Sequence, residues 1–90
     1  MTDSPLAFTA SKRGRGRVPG LAFWEQTYYV YADKTMWLSS RQKLKGRHKW
    51  TKWSDLEQRG SDMKFTLVEA AKAFKREGFS VKWIREIEND

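Results

Sequence analysis

The chain has no cysteine, one histidine and only two prolines among its 90 residues. Without cysteine there is no disulfide and no thiolate metal site, which suits a reducing, intracellular setting. With His48 as the sole histidine, neither a His-based metal cluster nor a conventional Ser-His-Asp triad can be assembled. His48 lies between Arg47 and Lys49, so a surface place in a basic turn is the expectation for it. No apolar run approaches the ~20 residues that a membrane helix needs, and the N-terminus lacks the apolar core of a secretory signal. Gly14-Arg15-Gly16 has neither the context of a dinucleotide fingerprint nor the Gly-Lys-Ser/Thr of a phosphate loop. The carboxylates are scattered. These absences lead to the expectation of a cytoplasmic protein that is not an enzyme, holds no cofactor or metal and does not enter a membrane.

What the chain does have is aromatic residues and positive charge. Five Trp, five Phe and three Tyr make 14 % of a small chain, so most of them must form the core and few remain for a surface. Eighteen basic residues oppose eleven acids, a formal net charge of +7. The excess is uneven: residues 1–20 carry four cations and one acid, residues 21–60 eight and four, and residues 61–90 six of each. Such asymmetry points to a polyanion or an acidic protein surface as partner.

Residues 1–20 have no usable apolar period. Lys12-Arg13-Gly14-Arg15-Gly16-Arg17 alternates cation with glycine, and Val18-Pro19-Gly20 interrupts the chain again. Glycine raises the entropy cost of ordering and the charges repel, so the expectation is a disordered basic N-terminal arm at 1–20, ahead of one small domain at 21–90. A solubilising tail is the plainer reading. An arm that folds onto a phosphate backbone explains four cations with no acid among them better.

Phe23 to Ala32, FWEQTYYVYA, is dense in aromatic and β-branched residues and free of Gly and Pro, which marks a strand. Val30 and Ala32 set its core face and leave Tyr29 and Tyr31 with Glu25 and Thr27 on the other. Asp33-Lys34 makes a turn. The stretch Met36 to Trp53 then alternates through Lys45, with Met36, Leu38 and Leu44 on one parity and Trp37, Arg41, Lys43 and Lys45 on the other. Residues two apart on a strand share a face, so a hairpin with matched core faces gathers Tyr29, Tyr31, Trp37, Arg41 and Lys43 on one side. Register decides this, because a slip of one residue reverses every side chain. Lys45-Gly46 suits a turn, and Trp50 and Trp53 fall on the returning segment.

Ser54 to Asp62 is polar and reads as a loop, with a helical turn conceivable from Ser54. Phe65 to Gly78 is a helix: Thr66 and Glu69 have the capping-box spacing, Leu67, Ala70, Ala71 and Phe74 form an apolar stripe, and Gly78 is placed to end it. Phe79 to Ile87 alternates as a strand, with a short helix capped by Ser80 as the competing reading. A helix-turn-helix over 66–88 would need a longer turn than usual and a net-neutral second helix, so the strand is preferred. The fold class is therefore α+β: a three-stranded antiparallel meander and a C-terminal strand packed on one α-helix.

The function these features favour is nucleic-acid binding of low sequence specificity. Lys12, Arg13, Arg15, Arg17, Arg41, Lys43, Lys45, Arg47, Lys49 and Lys52 would neutralise phosphates. Tyr29, Tyr31 and Trp37 would stack on bases, which favours single-stranded RNA or DNA over duplex. The RNP aromatic signature, the GXXG loop and zinc-finger spacings are absent. A protein-binding regulator or inhibitor that docks its basic face on an acidic partner explains the charge equally well, and a phage-encoded modulator of a host enzyme would fit that description. A ribonucleoprotein component is a third reading. On the plainest reading, the charged face is simply solvated and its lysines guard a sheet edge.

Overall fold

A computed structural model describes residues 4–60 and 64–84. Among the described residues five strands form one antiparallel sheet with a single helix packed on it, an α+β fold. The elements are β1 (Leu6–Arg15), β2 (Leu21–Tyr31), β3 (Met36–Leu44), β4 (Glu57–Gly60), α1 (Leu67–Arg76) and β5 (Ser80–Trp83), and the strand order is β4-β3-β2-β1-β5.

The basic N-terminal segment is not an arm. Residues 6–15 form β1, which lies inside the sheet between β2 and β5, so a boundary between residues 20 and 21 does not separate two units. Its Arg-Gly alternation has the two-residue period of a strand. Arg13 and Arg15 point to one face, while Gly14 pairs with Trp24 across β2 on the other. A Cβ on Gly14 would overlap the Trp24 indole, whose Nε1 donates to the Arg15 carbonyl at 3.1 Å. Glycine here admits a neighbouring ring and does not confer looseness.

The pairing of β2 with β3 is the register expected from parity. Tyr29 lies opposite Trp37, Glu25 opposite Arg41, and Phe23 opposite Lys43. Asp33 closes the turn by accepting from the Thr35 amide at 3.0 Å and the Thr35 hydroxyl at 2.6 Å, with Lys34 at φ 69°. The third strand of the meander is displaced. Residues 50–56 run beside β3 without a regular ladder, and β4 begins only at Glu57. Ser54 starts no helical turn, because its hydroxyl accepts from the Ser40 amide at 3.0 Å. The loop expected over 54–62 contains this short edge strand, which pairs with β3 through the backbone and has no apolar pattern to announce it.

On the helix face of the sheet, Phe8 and Val30 are fully buried and meet Ala7, Ala10, Ala70 and Ala71. Phe74 of α1 lies edge-on to Phe8 at 6.1 Å and against Tyr28 at 5.1 Å, and Trp83 of β5 lies 4.9 Å from Phe8. Burying a phenylalanine fully is worth about 1.5–3 kcal/mol, so these rings carry much of a core that contains few large aliphatics. The capping box is complete: Glu69 N–H donates to Thr66 Oγ1 at 3.1 Å and Thr66 N–H donates to Glu69 Oε1 at 3.0 Å. Gly78, at φ 93°, turns the chain out of α1 into β5. The strand reading of 80–83 holds, and the part of that expectation beyond residue 84 lies outside the described residues.

Candidate functional site

The other sheet face, turned away from α1, is built in rows that the ladder fixes. Thr9, Tyr29 and Trp37 form one row, Ser11, Thr27 and Ser39 the next, then Arg13, Glu25 and Arg41, and finally Arg15, Phe23 and Lys43. The second row is small and polar. Thr27 and Ser39 are buried, Ser11 and Thr27 share a hydrogen bond of 2.9 Å, and Ser39 Oγ donates to the Ser54 carbonyl at 2.6 Å.

The third row is the electrostatic centre. Arg41 Nε donates to Glu25 Oε1 at 2.7 Å, and Arg13 Nη2 lies 3.7 Å from the same oxygen. The segment after β3 folds its two indoles onto this row. The Arg41 guanidinium lies 4.8 Å from the Trp50 ring and 4.7 Å from that of Trp53, and Arg13 lies 4.9 Å from Trp50. The rings and guanidiniums form a ladder of cation–π contacts with one carboxylate at its base. Thr51 anchors the segment: its amide donates to the Gln42 carbonyl at 2.8 Å, and its hydroxyl accepts from the Gln42 amide at 2.9 Å.

Beyond that row the two turns meet. The β1–β2 turn and the β3–β4 connection emerge from the same end of the sheet, and the Lys45 amide donates to the Gly20 carbonyl at 2.9 Å. This end gathers Arg13, Arg15, Arg17, Arg41, Lys43, Lys45, Arg47, Lys49 and Lys52. Glu25 lies among them and is engaged by two arginines. Arg13, Arg15, Arg17, Lys45, Arg47, Lys49 and Lys52 are exposed, whereas Arg41 and Lys43 are half-buried. An open groove of about 500 Å³ lies within the connection, lined by Leu44, Gly46, Arg47, His48, Lys49, Trp50 and Thr51.

Nine of the ten cations named from the sequence therefore converge, and one does not. Lys12 lies on the helix face, where Nζ donates to the Glu77 carbonyl at 2.7 Å and sits over the Phe79 ring at 5.5 Å. It complements the C-terminus of α1. The three aromatic residues named for stacking stand apart from the cations. Tyr29 and Trp37 are half-buried and four residues along their strands from the arginine row, about 13 Å at the usual rise. Trp37 Nε1 is buried without a hydrogen-bond partner. Tyr31 is farther still along β2. The aromatics that do accompany the cations are Trp50, Trp53 and Phe23, with Phe23 and Trp50 at 6.5 Å. Parity could have found Phe23, since it shares the odd face of β2 with Glu25. Nothing local announces that Trp50 and Trp53 fold back over β3.

Among the described residues no group of three or more His, Cys, Asp or Glu side chains is placed to hold a metal ion, and no helix is long and apolar enough to cross a membrane. Compared with protein-family models, curated proteins and solved structures, the chain matches none.

Proposed function

We propose that this protein binds nucleic acid with little sequence specificity through the basic end of its sheet, acting by binding and not by catalysis. The observation that carries the reading is the convergence of nine cations, from the ends of β1 and β3 and the two connections that follow them, around the already engaged Glu25 carboxylate. Folding brings these like charges together against their mutual repulsion, which is about 1 kcal/mol for a pair 4 Å apart in water. A merely solvated surface intersperses both signs and avoids a one-sign field. A polyanion relieves the repulsion and releases its own counterions on binding. The exposed cations lie on loops and strand ends and contact no groove-reading helix, which favours backbone contact over base-edge recognition.

The experiment is fluorescence anisotropy with labelled single-stranded RNA, single-stranded DNA and duplex DNA across a salt series. The expected outcome is an affinity whose logarithm falls linearly with log salt, by about 0.7 per neutralised phosphate on single strands and about 0.9 on duplex. Replacing Arg15, Arg17, Arg47 and Lys49 by Ala together should flatten that slope by roughly three, if each meets a phosphate. Absence of binding to all three ligands at low salt rejects the proposal and leaves an acidic protein surface as the partner to seek.

A further inference from the structure

We infer that the groove inside the 45–51 connection receives an unstacked nucleobase and its flanking phosphate, which makes a single strand the preferred ligand. This assignment rests on the nucleic-acid reading above and names the part of the surface that senses bases as well as charge.

The groove has the dimensions and chemistry for it. At about 500 Å³ it lies within the usual range of small-ligand pockets, roughly 300–1,000 Å³. Leu44 and Trp50 supply apolar and aromatic wall, while Arg47, His48 and Lys49 also line it. An aromatic surface next to cations suits a planar base joined to a phosphate. The indole is also fixed in advance. Arg41 and Arg13 stack on Trp50, and the next residue, Thr51, is pinned to Gln42 through both its amide and its hydroxyl. A ring already held in place loses little rotamer freedom when a base settles on it.

A duplex keeps its bases paired and stacked and offers this groove only phosphates. A single strand can turn one base out at little cost. Tyr29 and Trp37 on the open sheet face offer no comparable surface, because they are half-buried and remote from the cations.

The test separates base from charge. Anisotropy is measured with a labelled thymidine strand and with an abasic strand of the same length and phosphate count, using the full chain, Leu44→Trp (which sets a bulkier side chain in the groove wall) and Trp50→Ala, each checked for folding by circular dichroism. The thymidine strand should bind the full chain roughly tenfold more tightly than the abasic strand, and the preference should vanish in Leu44→Trp. If Trp50→Ala does not fold, Leu44→Trp still decides the matter. Equal affinity for the two strands overturns the base site and leaves phosphate binding at the basic end standing. A preference that persists in folded Leu44→Trp places the base elsewhere and also overturns the assignment. Failure of both strands to bind overturns it together with the nucleic-acid reading.

Discussion

The Trp24 indole lies against Gly14, its cross-strand neighbour, and leaves no space there for even a methyl group. That contact locks the basic segment into the sheet. Gly14→Ala must push the indole off β1 and strain its bond to the Arg15 carbonyl, at a cost of about 1–3 kcal/mol, the usual range for overpacking. Urea denaturation measures it. A neutral or stabilising result would mean that residues 6–15 behave as a loose tail, in which Gly→Ala is free of strain.

Removal of residues 1–20 makes the same point more severely. It deletes the strand between β2 and β5 and, with Phe8, the most buried ring of the core. The truncated chain should show no cooperative thermal transition by circular dichroism. A truncated protein that melted like the full chain would contradict the assignment of β1.

Arg41 couples Glu25 to both indoles of the return segment. Lysine keeps the charge but has neither the planar fork nor the stacking surface, so Arg41→Lys should lose about 1–2 kcal/mol. The loss should be accompanied by a change in tryptophan emission as Trp50 and Trp53 are released. Unaltered emission would argue against the ladder.

The capping box gives a pH signature. The Thr66 backbone amide, followed by the Thr66 hydroxyl and then Lys34 and Lys72, holds the Glu69 carboxyl below its ordinary 4.5. A carboxyl with a depressed folded value stabilises the helix above its unfolded pKa and loses that contribution as pH falls through the lower folded value. Wild type should therefore exceed Glu69→Gln in stability at neutral pH, and the difference should shrink as the pH falls below the ordinary carboxyl value of 4.5 and through the lower folded one. A gap independent of pH would show that the ionised carboxylate does not matter. Thr66→Ala should cost about 1 kcal/mol, typical for loss of an N-cap.

Lys12 and Arg47 should behave oppositely although both are cations. Lys12→Met removes a charge from the C-terminal end of α1 and should lower stability by about 0.3–1 kcal/mol without weakening nucleic-acid binding. Arg47→Ala should leave stability within about 0.5 kcal/mol, as exposed substitutions do, and weaken binding. Equal loss of affinity from both would place Lys12 at the interface.

The parts of this architecture legible from sequence were those with a local period. Aromatic alternation from Phe23 fixed β2, Met36 and Leu38 against Trp37 and Arg41 fixed the register, and Thr66, Glu69 and Gly78 bounded the helix. β1 is not legible locally because its inward positions after Ala10 are Lys12 and Gly14, which have no apolar side chain of their own and match Glu77, far along the chain, and Trp24, across the hairpin. Read as entropy, Arg-Gly alternation suggested an arm; read by parity, it is a strand. β4 was missed because Glu57-Gln58-Arg59-Gly60 has nothing to bury and is held through its backbone. The cations could be chosen from charge alone, but the aromatics beside them could not, since Trp50 and Trp53 gain their places only by folding onto Arg41.

The ring of Phe8 in β1 meets Trp83 in β5, near the far end of the described chain. During synthesis, β1, β2 and β3 leave the ribosome early and can pair in sequence, but the flank of β1 that will receive β5 stays bare until the helix and residues 80–83 have followed. Closing so distant a contact is slow, because loop entropy must be met before the contact rewards it. For that interval the nascent chain carries an unpaired strand flank and an uncovered phenylalanine, both invitations to wrong partners. The cations that follow along β1 from Lys12 would keep neighbouring chains apart until the last strand docks.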